Sequence, residues 1–196
     1  MSSTGKLRSE LPLIFKSRRA WKAWIAKHYD SSQGVWLRLA KGSATLKSLS
    51  YQEALEIALC YGWIDGQKRS YDEESWLQRF SPRGPRSIWS KINRSRAEEL
   101  VREGRMQQPG LAAIERAKQN GQWERAYDSQ KTAAPAKDFE EILNRRPRAK
   151  AFFESLDSHN RYAILFRIHN AKKAETRQQR IEKFIGMLER HEKLHP

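Results

Sequence analysis

Six cations and no carboxylate lie between Ser75 and Ala97: Arg79, Arg83, Arg86, Lys91, Arg94 and Arg96. Trp76, Phe80 and Trp89 are interleaved with them. Forked guanidinium donors beside flat apolar rings suit capture of a phosphate with a base stacked alongside. If about six phosphates were engaged, affinity would fall roughly a thousandfold between 50 and 200 mM salt. The same rings would serve equally well in a core, so spacing alone leaves stacking and packing both open. Upstream, Trp63-Ile64-Asp65-Gly66 supplies a carboxylate that could act as a general acid or base if a desolvating site held it. An Asp in such a stretch also suits a structural ion pair.

The chemistry expected here is therefore anion binding first and acid or base catalysis second. Trp63, Asp65, Arg79 and Phe80 form one part of the candidate site. Arg83, Arg86 and Ser87 lie in a segment that Pro82, Gly84 and Pro85 make a fixed loop. Trp89, Ser90, Lys91 and Asn93 follow at the start of a helix, whose N-terminal amides would add to the attraction for an anion. In the alternative reading, Asp65 acts on a small anionic metabolite that Arg79, Arg83 and Lys91 hold.

Other chemistries find little support. A single cysteine, Cys60, cannot make a thiolate zinc site or an intrachain disulfide, and the run ALEIALCYGW suggests a packed thiol. The five histidines, at 28, 159, 169, 191 and 195, are not taken as a ligand set, and no metal or cofactor is expected. The sequence contains no GxSxG, GxGxxG or Walker pattern.

The elements that must position these residues follow from periodicity. Residues 1–16 read as a loosely held arm in which Leu11, Leu13, Ile14 and Phe15 dock. Ser17 starts a helix with Trp21, Trp24, Ile25 and His28 on one face. In GVWLRLAKG, Val35, Leu37 and Leu39 alternate with Trp36, Arg38 and Ala40, a strand pattern. Ser50 and Glu53 have capping-box spacing before a helix that is apolar almost all round and that Gly62 ends. Trp63–Arg69 and Ser75–Phe80 read as a hairpin folded at Asp72-Glu73-Glu74, which would place Asp65 opposite Arg79 as a cross-strand ion pair. Ser87 or Ser90 would cap a helix running to Gly104, and Pro109-Gly110 would precede another. Trp123 and Tyr127 suit a further helical turn.

Ser129–Lys137 reads as a linker, which gives an α+β domain over residues 17–128 and a helical domain over 138–196. In the latter, Asp138 would cap a first helix and Pro147 would open a second. Tyr162, Leu165, Phe166 and His169 would mark the face of a third, and Ile181, Phe184, Ile185 and Leu188 that of a fourth.

The net charge of +15 is shared between the two parts, with 23 basic and 14 acidic residues up to Asp128 and 15 and 9 after it. A nucleic acid or nucleotide, an anionic membrane surface or an acidic protein is the partner such a balance favours. No segment has the apolar length of a secretory signal or a membrane span, so no integral membrane association is expected and the cytoplasm is the expected compartment. Oligomeric state is not encoded in any pattern above.

GVWLRLAKG, LSYQEALEIALCYGWIDGQ, LQRFSPRGPRSIWSKIN, EGRM, GLAAIERAK, FFESL and NRYAILFRIHNAKKAETRQQRIEKF together resemble the bacterial YdeI/OmpD-associated, or bacteriocin-protection, family. The likeness runs from about Trp21 to Leu188. It implies an α+β first domain of the YjbR/CyaY-like (frataxin-like) type with an antiparallel sheet and packed helices, and a small all-α second domain. It also implies a cytoplasmic protein concerned with tolerance of antimicrobial peptides or envelope stress. Its signature falls on Trp63, Ile64, Asp65 and Gly66, on Arg79, Phe80, Pro82 and Arg83, and on Ser87, Trp89, Ser90, Lys91 and Asn93. Iron delivery by a frataxin-like fold relies on an acidic ridge, and the local charge here is the reverse.

Overall fold

The computed structural model describes residues 11–42 and 44–196. The architecture is α+β, in two compact units: Met1–Ile88 with Asn93–Glu124, and Trp89–Ile92 with Arg125–Pro196. Most of the arm expected at 1–16 lies outside the described residues. Of the rest, Leu13 forms a parallel bridge to Leu37, with Leu13 N–H donating to the Trp36 carbonyl at 2.8 Å.

In the first unit, Ser17 caps α1 (Arg18–His28) by accepting from the Ala20 amide. Trp21 and Ile25 are fully buried on its inner face. The Trp21 ring lies 5.2 Å from Phe15, 5.4 Å from Trp24 and 5.9 Å from Phe80. Its indole N–H donates to the Ala54 carbonyl at 3.0 Å, so the ring is buried without an orphaned donor.

Strand β1 (Val35–Ala40) buries Val35, Leu37 and Leu39, as its alternation predicts. Helix α2 (Tyr51–Cys60) opens on the capping box, with Ser50 and Glu53 reciprocally bonded. It ends where Gly62 takes a positive φ of 72°. Strands β2 (Trp63–Ser70) and β3 (Ser75–Pro82) complete an antiparallel sheet of order β1-β3-β2. The inner face of this sheet, with Val35, Leu37, Trp63 and Phe80, packs against α1 and α2.

Helices α3 (Lys91–Arg102) and α4 (Gln108–Gln119) follow. Pro109 and Gly110 lie inside the first turn of α4, not before it. That start packs tightly on the end of α2: a Cβ at Gly110 would meet Cys60 O at 2.4 Å, and one at Gly62 would meet Pro109 O at 2.6 Å. The helical turn expected for Trp123 and Tyr127 does not form. Tyr127 is extended and bridges Ser90 in parallel, its N–H donating to the Trp89 carbonyl at 2.9 Å. This pairing places Trp89–Ile92 in the second unit.

The second unit holds α5 (Lys137–Asn144), α6 (Pro147–Ser155), α7 (Ser158–His169) and α8 (Ala174–Glu189). Phe139, Leu143, Phe153, Ile164, Ile168, Ile181, Phe184 and Leu188 make its core. Pro147 opens α6 as its fixed φ favours. Asp138 is not the cap of α5, a position that Ala136 occupies. Its carboxylate instead accepts from Arg177 Nε and Nη2 at 2.5 and 2.7 Å.

The core face of α7 is rotated from the one expected: Ile164, Leu165 and Ile168 face the helical core. Tyr162, Phe166 and His169 engage the extended segment before the helices. Tyr162 O–H donates to the Asp128 carbonyl at 3.1 Å, His169 Nε2 lies 2.9 Å from the Arg125 carbonyl, and Phe166 meets Tyr127 edge-on at 5.0 Å. Both faces of α7 are thus used, which is why a single apolar stripe misjudged its orientation.

Candidate anion-binding surface

The hairpin carries a one-residue irregularity that decides the site. Trp63, Ile64 and Asp65 stand opposite Pro82, Ser81 and Phe80, whereas Lys68, Arg69 and Ser70 stand opposite Gln78, Leu77 and Trp76. The bulge between Asp65 and Lys68 puts two residues, Gly66 and Gln67, against Arg79. Buried Gln78 donates to the Gly66 and Gln67 carbonyls at 3.0 and 3.3 Å, which satisfies the disrupted ladder. Because strand side chains alternate, this register sends Asp65 and Arg79 to opposite faces. The ion pair expected between them is not formed. Asp65 accepts a hydrogen bond from Tyr51 O–H at 2.8 Å instead, on the helix-covered side. An acid or base at Asp65 serving a substrate held by Arg79 is therefore not assembled.

The remaining sequence-selected residues separate in the same way. Trp63, Phe80 and Trp89 are core, at 1%, 0% and 2% exposure. Arg83 is buried at 5% exposure and donates from Nη1 to the Ile88 carbonyl at 3.1 Å. It therefore holds its own loop. That loop is further pinned by Arg116 on the Arg83 carbonyl and by Asn120 on the Pro85 carbonyl. Ser87 N–H closes a turn on Gly84 O, while Arg86 is exposed. In the second unit, Lys91 Nζ pairs with Asp128 at 2.8 Å and Lys91 N–H donates to the Tyr127 carbonyl. Ser90 forms the bridge described above, and Asn93 is half-buried in the first unit.

Arg79 acquires different neighbours on the outer face of the sheet. It stands opposite Trp36 of β1, with its Cζ 5.9 Å from the indole centroid, and Arg69 of β2 places its Cζ 4.6 Å from the same ring. One row along, Leu77 stands opposite both Arg38 and Arg69. Arg38 lies 4.8 Å from the Tyr71 centroid and pairs with Asp72 at 2.5 Å. Hydrogen bonds, led by that from Ser75, hold the Asp72 carboxyl below the usual carboxylate range. Among the described residues Arg69 and Arg79 have no carboxylate partner; Arg79 donates to the Gln33 carbonyl at 3.2 Å. A tryptophan approached by two guanidiniums without carboxylate partners, on strands that fix their spacing, brings an indole ring and phosphate donors together. Trp36, Arg38 and Arg69 were not in the sequence-selected set. The alternation of GVWLRLAKG does place Trp36 and Arg38 on the face away from the core, and that was the signal available.

His191-Glu192-Lys193-Leu194-His195 has the HExxH order, which binds zinc when both histidines share a helix face. Here α8 ends at Glu189, His191 has a φ of 59° and its ring stacks on Phe152 at 4.8 Å. Glu192 pairs with Arg190, and the Leu194 and His195 amides donate to buried Asn160. The string serves as a chain terminus docked on α7.

Residues 13–113, just over half of the chain, match the family model described as a domain of unknown function (DUF8412). The chain belongs to the DUF8412 family. Residues 133–191 match a second model, described as Bacteriocin-protection, YdeI or OmpD-Associated. The resemblance read from Trp21 to Leu188 is thus carried by that family's model over the C-terminal helices. Over the first unit the match is to DUF8412. All the signature residues from Trp63 to Asn93 fall within the DUF8412 match. No curated protein and no solved structure matches the chain. Among the described residues, no helix is long and apolar enough to cross a membrane.

Proposed function

We propose that this DUF8412 protein is a non-catalytic binding module, cytoplasmic and of the bacteriocin-protection or envelope-stress kind, that captures an anionic ligand, a nucleic acid or nucleotide. A YjbR/CyaY-like ancestry for the first unit belongs to the same reading. The observation that carries it is the outer sheet face, where the Arg69 and Arg79 guanidiniums both lie within 6 Å of the Trp36 ring centroid and Arg38 is one row along. A base stacks on the indole while the guanidiniums take the flanking phosphates. The overall charge of +15 supports the approach of such a ligand. Arg86, exposed in the first unit, adds to that unit's positive charge.

The test is fluorescence anisotropy with a labelled single-stranded oligonucleotide. Trp36→Ala weakens binding about tenfold, since base-aromatic stacking is worth roughly 1 to 3 kcal/mol by alanine substitution. With about three phosphates contacted, affinity drops about 20-fold between 50 and 200 mM salt. No binding at 50 mM salt, or a Trp36→Ala variant that binds like the wild type, would sink the proposal.

A further inference from the structure

A separate cavity of about 240 Å³ lies in the first unit. Arg18, Arg19 and Lys22 of α1 and Arg105 beyond α3 supply its charged lining, and Ile57, Cys60 and Tyr61 its apolar wall. Helices α1 and α2 cover the inner face of the sheet, so this cavity is remote from Trp36, Arg69 and Arg79.

The local carboxylates leave two of its four cations unpaired. Glu56 accepts from Arg18 at 3.0 Å, from Arg105 at 2.9 Å and from Arg96 at 2.7 Å, while Glu103 pairs with Arg105 and Glu53 lies 3.9 Å from Arg18, so three carboxylates match these three guanidiniums. Arg19 and Lys22 have no carboxylate partner among the described residues. Burial pushes the Cys60 thiol up, despite nearby Arg105 and Lys22, so the wall adds no anion at neutral pH. The Glu56 bonds also fix Arg18 and Arg105 in advance, which lowers the ordering cost of binding.

We infer that this cavity binds a small polyanion, a phosphorylated or polycarboxylate metabolite. Its volume lies below the roughly 300 Å³ at which pockets for drug-sized ligands begin. That size, with Arg19 and Lys22 unpaired beside the fixed Arg18 and Arg105, selects a compact anion over a nucleic acid strand. The inference does not rest on the sheet-face reading, and neither Asp65 nor Arg79 takes part.

The experiment is isothermal titration calorimetry of the intact chain with sodium pyrophosphate and with citrate as probes, which separates phosphate from carboxylate chemistry. At least one binds to the wild type. The double variant Arg19→Ala/Lys22→Ala removes two solvent-exposed cations without touching the Glu56 bonds, and it weakens binding tenfold or more. Occupancy by the bound probe also slows alkylation of Cys60, the chain's single cysteine. The inference is overturned if neither probe binds, if the double variant binds as the wild type does, or if alkylation proceeds at the same rate with saturating probe. Failure of the sheet-face proposal registers only in the oligonucleotide measurement, so the two outcomes are independent.

Discussion

At the residue scale, Glu56 has the most consequential surroundings of any carboxylate in the first unit. Burial works to raise its pKa, but hydrogen bonds from Arg105 and Arg18 outweigh this and hold the carboxyl below the usual range. A depressed carboxylate stabilises the fold above its unfolded pKa, and that stability is lost as pH falls through the folded value. Glu56→Gln is therefore expected to cost about 2 kcal/mol at pH 7, the range of hydrogen bonds to charged groups. The difference from wild type should shrink as pH drops below about 4.3. Urea unfolding followed by tryptophan fluorescence measures this, since six of the seven tryptophans lie in the first unit. An equal difference at pH 7 and at pH 3 would show that the charge is not the cause. Nothing in the local sequence of Glu56 announced this role: its three arginine partners are 38, 40 and 49 residues away.

At the element scale, the close approach of α2 and α4 is the most restrictive packing in the first unit. Gly110 sits where a Cβ would press on the Cys60 carbonyl and Met106 Sδ. Gly110→Ala should destabilise the protein by about 1 to 3 kcal/mol, the usual cost of overpacking. In an isolated helix the same change would be favourable, because alanine has the higher helix propensity. A variant as stable as the wild type in urea would show that α4 can shift at no cost. Elements themselves were well read from the sequence. The capping box of α2, the glycine that ends it, the alternation of β1 and the proline of α6 all act through neighbours within four residues. What failed at this scale was register. A single bulge at Gly66 and Gln67 reverses the face on which every earlier residue of β2 meets β3, and hairpin counting from the turn does not reveal an extra residue. The orientation of α7 failed for a related reason, since two of its faces are occupied.

At the scale of the whole molecule, the helical core of the second unit is contained in residues 139–188. A fragment spanning 125–196 should therefore keep a helical circular-dichroism spectrum and melt cooperatively, while lacking the Trp89–Ile92 segment, whose Ser90 bridges Tyr127 in the intact chain. A fragment without cooperative melting would mean that this segment is required for the helices to pack. Composition, periodicity and capping signals by themselves determined that the protein is basic, α+β and followed by a helical part, because those features depend on residue type and short-range spacing. Only the tertiary structure decided which cations share a surface. The stretch from Ser75 to Asn93 looked like one basic, aromatic groove. Folded, it gives Phe80, Trp89 and Arg83 to the interior, Lys91 to Asp128, and Arg79 to a sheet face shared with Trp36 and Arg69. Burial and cross-strand pairing are set by residues far apart in the chain, and a linear run of charges carries no record of which neighbours will cover it.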